Sequence, residues 1–305
     1  MASEFPFLPP CGLEIIDAYR VRVGGPGGLY YSARLEVAIV STSSEYLAGQ
    51  SVTDEQLQAW TNQFDRDGYL LLKNVLPPDW CQQLRADLDR VLPHDSSKQG
   101  GIELQLRMFE SSDANLRLFD VEPIVTLADR IIGEATHVIH NNSFRSLTGA
   151  GGITQWHQDD RPHLLLSEGE MPTNIKLPCL WFTANYYLTD VTEVANGGTE
   201  CVRGSHLFGK PCPSNFPELP EYHDKIDHNL GPAGSVVLFN NQCWHRGGPN
   251  TSQRVRYITQ ITYARRMIGH KYFPFMNYQM PEHVYRDANP RLKRLLGFLP
   301  TGAYG

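Results

Sequence analysis

Apolar and polar positions along this chain follow two rhythms in succession. From residue 53 to residue 132 the apolar side chains recur at helical spacing, and from residue 137 onward they fall into short runs cut by Gly, Pro and Asn. Thr53 followed by Gln56 has the form of a capping box and predicts a helix ending near Asp67-Gly68. A short strand is predicted over 69–75. Pro77-Pro78 then opens a helix carrying Trp80, Leu84, Leu88 and Val91, which Pro93 stops. A third helix is predicted over 122–132, closed by Gly133. The later runs predict strands at 137–147, 153–158, 180–188, 199–202, 235–239 and 255–264, with a last short helix at 289–296. Consecutive short strands without helices between them argue for an antiparallel sandwich or jelly roll, mainly β with flanking helices.

Residues 1–50 read as strands and turns, and are expected to form an extension packed on one domain covering 51–305. Their Gly24-Gly25-Pro26-Gly27-Gly28 cluster lacks the lysine of a phosphate loop and does not open a helix, so it reads as a tight turn. Over 305 residues, 41% apolar and 20% charged content is that of a globular protein with room for a large core. A formal charge of −6 gives no electrostatic reason to expect nucleic acid or an anionic membrane as partner. None of the six cysteines forms a Cys-x-x-Cys pair, which fits a reducing compartment. No signal-like or membrane-spanning apolar run is present, so a cytoplasmic protein is expected.

The candidate chemistry starts at Gln155-Trp156-His157-Gln158-Asp159. If this segment is a strand, His157 and Asp159 share a face with backbones about 7 Å apart and can converge on one ion. A second histidine, His245, is expected at the end of the apolar strand at 235–239, and the Gly247-Gly248-Pro249 turn after it is expected to reverse the chain between two adjacent strands. Two histidines and one carboxylate on one face of a metal, with the other positions open, form the facial triad of non-haem Fe(II) oxygenases. Trp156 and Trp244, each preceding a ligand, should face away from the metal and pack in the core. Arg256 lies on the strand after His245, and Arg254 points to the same face of it and is a further candidate for the cosubstrate. A guanidinium there would grip the carboxylate of a dicarboxylic cosubstrate. His94, His137, His140, His223, His228, His270 and His283 lack this context and read as ordinary polar residues.

Together with the turns Asn196-Gly197-Gly198-Thr199, Gly204-Ser205-His206 and Gly247-Gly248-Pro249, these residues resemble the phytanoyl-CoA hydroxylase-like family of Fe(II)/2-oxoglutarate dioxygenases. The resemblance covers roughly residues 53–265. It implies a double-stranded β-helix of the cupin-like kind, with His157, Asp159 and His245 as iron ligands. It also implies Arg256 on the far carboxylate of 2-oxoglutarate, with Thr199, Gln155 and Asn142 as further cosubstrate contacts. The family's Pro-Gly-Ser-His motif carries Arg203 in place of proline here, a departure away from the metal.

The resemblance further implies oxidation of a substrate by O2, with 2-oxoglutarate converted to succinate and CO2. Related halogenases lack the carboxylate that Asp159 supplies, so hydroxylation, desaturation or ring formation is expected. A small organic molecule or secondary metabolite is preferred over an acyl-CoA, which would call for a basic groove. Residues 161–178 are a candidate lid, and Arg161, His163, Phe182 and Tyr186 are candidate substrate contacts. Two other classes remain open: a zinc-dependent hydrolase or isomerase on the same roll, and a non-catalytic binding module.

Overall fold

The computed structural model describes residues 46–298, apart from 96, 150, 170, 171, 173, 175 and 273–276. The strands and glycine turn expected over 1–45 lie outside the described residues. Leu47 and Ala48 donate backbone hydrogen bonds to the carbonyls of Asn74 and Val75, and Gly49 to that of Glu122, so 47–49 are tied to the main unit.

Helix α1 (Asp54–Asp67) starts where the cap was expected: Thr53 Oγ1 accepts from the backbone N–H of Gln56, and Gly68 closes the helix at φ 83°. It buries Leu57, Trp60 and Phe64 at helical spacing. Strand β1 (Tyr69–Leu72) and helix α2 (Pro78–Val91) follow, as expected. Strand β2 (Ile102–Leu106) and the short helix α3 (Asp113–Arg117) were not expected, because both are too short for periodicity to register. Helix α4 (Ile124–Ile132) ends at Gly133.

Strands β3 (His137–Ser146), β4 (Trp181–Tyr187), β5 (Thr199–Val202), β6 (Ile226–His228), β7 (Val236–Asn240), β8 (His245–Gly247) and β9 (Arg256–Ala264) complete the sheets. Two short helices, α5 (Glu282–Tyr285) and α6 (Pro290–Leu295), close the described chain. One sheet runs β1-β7-β4-β9-β3-β2 and the other β6-β5-β8, with every pairing antiparallel. This is the mainly β jelly roll with flanking helices that the strand pattern implied.

Face parity on the large sheet decides what lies where. On β7, Val236 and Leu238 join the core shared with the helices, while Val237 and Phe239 point into the roll with Ile258, Tyr187 and Cys201. The helix-side core gathers Phe64, Leu84, Phe119, Phe182, Tyr186 and Tyr263, among others. Burial of side chains of that size, at roughly 1.5–3 kcal/mol each, holds the helices against the sheet. At the β2 edge, fully buried Arg145 bonds Glu103 and Asp89 at 2.6 Å each and the Leu92 carbonyl at 2.8 Å, so its charge is compensated. Among the described residues no helix is long and apolar enough to cross a membrane.

Candidate metal and cosubstrate site

His157 and Asp159 do not lie on a strand. Residues 153–158 are irregular, and His157 makes only an isolated antiparallel bridge with His245. Paired backbone hydrogen bonds of 3.0 and 2.9 Å join those two residues, and Asp159 N–H donates to the Asn241 carbonyl at 3.0 Å. Alternation was therefore the wrong reason for a right grouping. His245 likewise does not end the apolar strand at 235–239. It opens β8 in the opposite sheet, so the Gly247-Gly248-Pro249 turn leads from one sheet to the other and does not join neighbouring strands.

The three ligand-type atoms lie within 4.8 Å of one another. His157 Nε2 is 3.6 Å from Asp159 Oδ1, and His245 Nε2 is 3.9 Å from the same oxygen. Both imidazoles are oriented from behind: His157 Nδ1 donates to the Gln155 carbonyl at 2.9 Å and His245 Nδ1 to the Cys243 carbonyl at 2.8 Å. A proton held on Nδ1 leaves each Nε2 lone pair facing the common point, as a metal requires. Asn241 Nδ2 donates to Asp159 Oδ2 at 2.8 Å, and Thr183 Oγ1 donates to Asn241 Oδ1 at 3.1 Å, fixing the carboxylate. His245 is buried and its pKa is lowered, chiefly by burial, which favours the neutral, ligating form. The His157 and Asp159 side chains keep 37% and 31% exposure, so the triad is open on one side.

A cavity of about 210 Å³ runs inward from the triad. Arg256 lies deep within it, 3% exposed, with Nη2 donating to Ser146 Oγ at 2.8 Å. Its Nε and Nη1 have no partner. Burial pushes this guanidinium down to about 10, a direct sign of an uncompensated buried cation. A buried guanidinium with unpartnered N–H groups, in a polar cavity shared with a metal-type triad, fits one carboxylate of a diacid. Thr199 lines the same cavity, its hydroxyl accepting from Asn185 Nδ2 at 3.2 Å. The turn before it needs glycine: Gly197 sits at φ 74°, and a Cβ there would meet the Gly248 carbonyl at 2.5 Å. Asn142 is on the inward face of β3 between the lining residues His140 and Phe144, with Nδ2 on His140 Nε2 at 3.0 Å.

Several expected contacts are elsewhere. Arg254 precedes β9, so strand alternation does not reach it; its side chain is 64% exposed and 3.9 Å from Asp190. Gln155 is exposed and serves the site through its carbonyl alone. Phe182 and Tyr186 have the wrong parity on β4, and both are sealed in the helix-side core. Thr183 and Asn185, between and beside them, are the β4 residues that line the cavity. Arg161 is exposed, and its carbonyl accepts from Gln242 Nε2. His163 packs on Trp181 at 4.5 Å and lines a second cavity of about 520 Å³ with residues of the expected lid segment. Trp156 and Trp244 pack away from the triad around Phe216, as expected. His206 has a structural place, with Nε2 on the Asp65 carbonyl at 3.1 Å.

His140 was passed over, yet it lines the triad cavity together with Gln260, Thr262 and Lys271. The signal was in the sequence: counting in twos from Arg256 gives Ile258, Gln260 and Thr262 on one face.

Known proteins agree with this geometry. The family described as phytanoyl-CoA dioxygenase (PhyH) matches residues 64–258, more than half of the chain. The chain belongs to that family. Dioxygenase trt7 of Aspergillus terreus (strain NIH 2624 / FGSC A1156) is 23% identical over 246 residues, 76% of this chain and 80% of the relative. The ectoine dioxygenase of Stutzerimonas stutzeri (strain A1501) is 26% identical over 226 residues, 63% of this chain and 72% of its own. Among solved structures, HygX from Streptomyces hygroscopicus with nickel and 2-oxoglutarate bound superimposes with a TM-score of 0.57 at 17% identity. That match covers 76% of this chain and 96% of HygX. The non-haem α-ketoglutarate-dependent epimerase SnoN from nogalamycin biosynthesis gives 0.56 at 21% identity, covering 70% and 82%. This family member is a 2-oxoglutarate-dependent non-haem iron dioxygenase by class.

Proposed function

We propose that this dioxygenase hydroxylates a small organic molecule, with Fe(II) held by His157, Asp159 and His245 and 2-oxoglutarate held by Arg256. The observation that carries the residue assignment is the pair of partnerless Arg256 N–H groups at the end of the triad's own cavity. When bound, iron and cosubstrate would supply the oxidising power: 2-oxoglutarate loses CO2 and takes one oxygen atom of O2 to become succinate, and the other oxygen atom enters the substrate as hydroxyl.

The chain's residues provide position. Arg256 and Ser146 fix the distal carboxylate, and Thr199 and Asn185 flank the body of the diacid. Backbone carbonyls 155 and 243 keep both imidazoles as Nε2 ligands, and Asn241 holds Asp159. With Asp159 present, three ligand places are filled by protein. That arrangement favours oxygen transfer over halide transfer. Tyr187, Phe144 and Ile258 wall the middle of the roll and keep bulk water from the cosubstrate.

A small molecule is favoured over an acyl-CoA by charge placement. Of Arg161, Arg265, Arg266 and Lys271, the basic residues that could meet the phosphates of an acyl-CoA, Lys271 alone lines the triad cavity; Arg161 is exposed and Arg265 is engaged with the Cys179 carbonyl at 3.1 Å. Small-molecule cargo is also on record for related folds, such as HygX with hygromycin B bound. The zinc hydrolase alternative leaves the buried Arg256 unexplained. An intact, oriented ligand set argues against a binding module without catalysis. Free Cys81, Cys179, Cys201, Cys212 and Cys243 are consistent with a reducing, cytoplasmic location.

The test is anaerobic loading with Fe(II) and 2-oxoglutarate, followed by admission of oxygen and measurement of succinate, with His157→Ala as control. Succinate formed by the natural chain and lost in the variant is the expected result. No succinate, together with no 2-oxoglutarate-dependent change in the metal's absorption spectrum, would refute the assignment.

A further inference from the structure

The polar groups lining the triad cavity are nearly all paired with one another. Gln260 Nε2 donates to Asn185 Oδ1 at 2.9 Å, Thr183 and Thr262 share a hydrogen bond of 3.0 Å, and Arg246 Nε donates to Glu200 at 2.6 Å. Partnerless donors remain at two places. One is Arg256 at the deep end. The other, at the mouth, is the edge of His140 beside Lys271.

Strand register sets the separation of those ends. Arg256 pairs with Ser146, and Thr262 pairs with both His140 and Thr183. Six residues of strand, about 20 Å, separate the two levels. His140 stands two strands away from Thr183, about 10 Å across the sheet. A five-carbon diacid is far shorter than the roughly 20 Å between these levels, so one anchored on Arg256 leaves the ground beside His140 for another molecule.

The chemistry of that far wall is that of a donor pair. His140 Nε2 lies 3.0 Å from Asn142 Nδ2, and an imidazole that accepts there carries its proton on Nδ1. His140 Nδ1 is buried without a partner. Burial pushes this imidazole down to about 4, so it is neutral at neutral pH and its Nδ1 keeps the role of a neutral donor. Lys271 is held at its backbone by the Ile139 carbonyl at 2.8 Å. Its ammonium lies 5.2 Å from the centre of the Trp181 ring, with no ion pair among the described residues. A lysine parked on an aromatic face beside a buried imidazole N–H is equipped to receive a negatively charged oxygen.

We propose that His140 and Lys271 form an oxyanion subsite for the prime substrate, which therefore carries a carboxylate, phenolate or enolate near the carbon to be oxidised. This deepens the reading given above and rests on it: Arg256 takes the cosubstrate's far carboxylate, and His140 with Lys271 takes the substrate's own charge. Trp181 supplies a flat apolar wall beside that charge, suited to a planar or ring-bearing body.

The test reads binding, with no turnover. The full chain is loaded with Mn(II) and saturating 2-oxoglutarate, and paramagnetic broadening of 19F resonances is followed for three probes. These are 4-fluorobenzoate for a carboxylate, pentafluorophenolate for a phenolate or enolate, and neutral 4-fluorobenzamide. Saturable broadening of at least one anion is expected, with the amide bound at least about tenfold more weakly, as one lost charge-assisted hydrogen bond implies. Lys271→Met and His140→Gln should each weaken the bound anion at least about tenfold, while the surface control Lys293→Met does not. Which anion broadens identifies the kind of oxyanion. No anion broadening, equal broadening by the amide, or an unchanged response in Lys271→Met would overturn the subsite. Affinity for 2-oxoglutarate is measured on the same samples. If Lys271→Met loses cosubstrate together with probe, the residue belongs to the cosubstrate and the proposal is overturned. Because the readout uses Mn(II), a failed succinate assay would count against the oxygenase assignment and leave this result standing.

Discussion

The two ends of the roll's interior are built on opposite principles. At the deep end Arg256 is 3% exposed, keeps one hydrogen bond and is enclosed by Ser146, Phe144 and Ile258. At the mouth His157 and Asp159 keep about a third of their surface in solvent, and the nearby Lys271 is exposed. The deep end is rigid and carries an unpaired charge that costs stability. A cosubstrate common to every turnover can repay that cost by binding. The mouth keeps its ligands reachable, because metal, oxygen and substrate must all arrive there. Invariant recognition sits in the core of the roll and variable recognition on its rim.

The largest effect expected from breaking this division is at the mouth. Asp159→Ala should reduce succinate formation on the order of 10³-fold or more, because the metal loses its only anionic ligand. Asn241→Ala should cost about 10–100-fold in metal affinity, read by titration with a competing chelator, since it only orients that ligand.

At the deep end Arg256→Met should raise the KM for 2-oxoglutarate about 100-fold, the loss of a bidentate charge-assisted contact. The same variant should unfold at a higher temperature than the natural chain when both lack cosubstrate, since it removes an uncompensated buried cation. Added 2-oxoglutarate should then stabilise the natural chain and leave the variant unchanged. Loss of apo stability in Arg256→Met would mean that the charge is compensated after all.

A third prediction uses histidines outside the site. Burial, with His137 nearby as a smaller cause, pushes His270 down to about 4 from an ordinary 6.5. Between those values the unfolded chain binds the proton that the folded chain resists, so stability must fall as pH drops from 6.5 towards 4. His270→Gln should flatten that fall in denaturant titrations by a few kcal/mol at most. Near neutral pH both chains escape this penalty.

The smallest effects are expected at Arg254 and Gln155. Arg254→Ala breaks an exposed pair with Asp190 worth about 0–1 kcal/mol, and should leave the KM for 2-oxoglutarate within about twofold of the natural value. Gln155→Ala keeps the backbone carbonyl that orients His157, and should behave alike. A tenfold rise in KM from Arg254→Ala would show that the arginines share the cosubstrate.

Much of the architecture was legible in residue spacing. Helix α1 was marked by Thr53 and Gly68, α2 by Pro78 and Pro93, and β9 by its apolar run, because caps and periodicity act through neighbours in sequence. Strand β8, three residues long, was invisible, since its pairing with β5 is entirely non-local. The triad's composition could be read from His157, Asp159 and His245, whose residue types carry the chemistry whatever backbone bears them. The backbone beneath them was misread, because an isolated bridge leaves the same local pattern as a strand. Phe182 and Tyr186 were misplaced although Thr183 and Asn185 mark the polar side of β4, because aromatic side chains fit either a pocket wall or a core when both faces are buried.

What the sequence alone determined was therefore the helices, most strands and the grouping of His157, Asp159 and His245 as candidate ligands. Tertiary structure decided which face of β4 meets the cavity, that Arg254 stays outside while Arg256 is sealed within, and that His140 and Lys271 line one cavity. Those outcomes depend on register between residues 71 to 127 positions apart. Register is set by the burial of whole faces at once, a sum over many distant contacts that no local pattern contains.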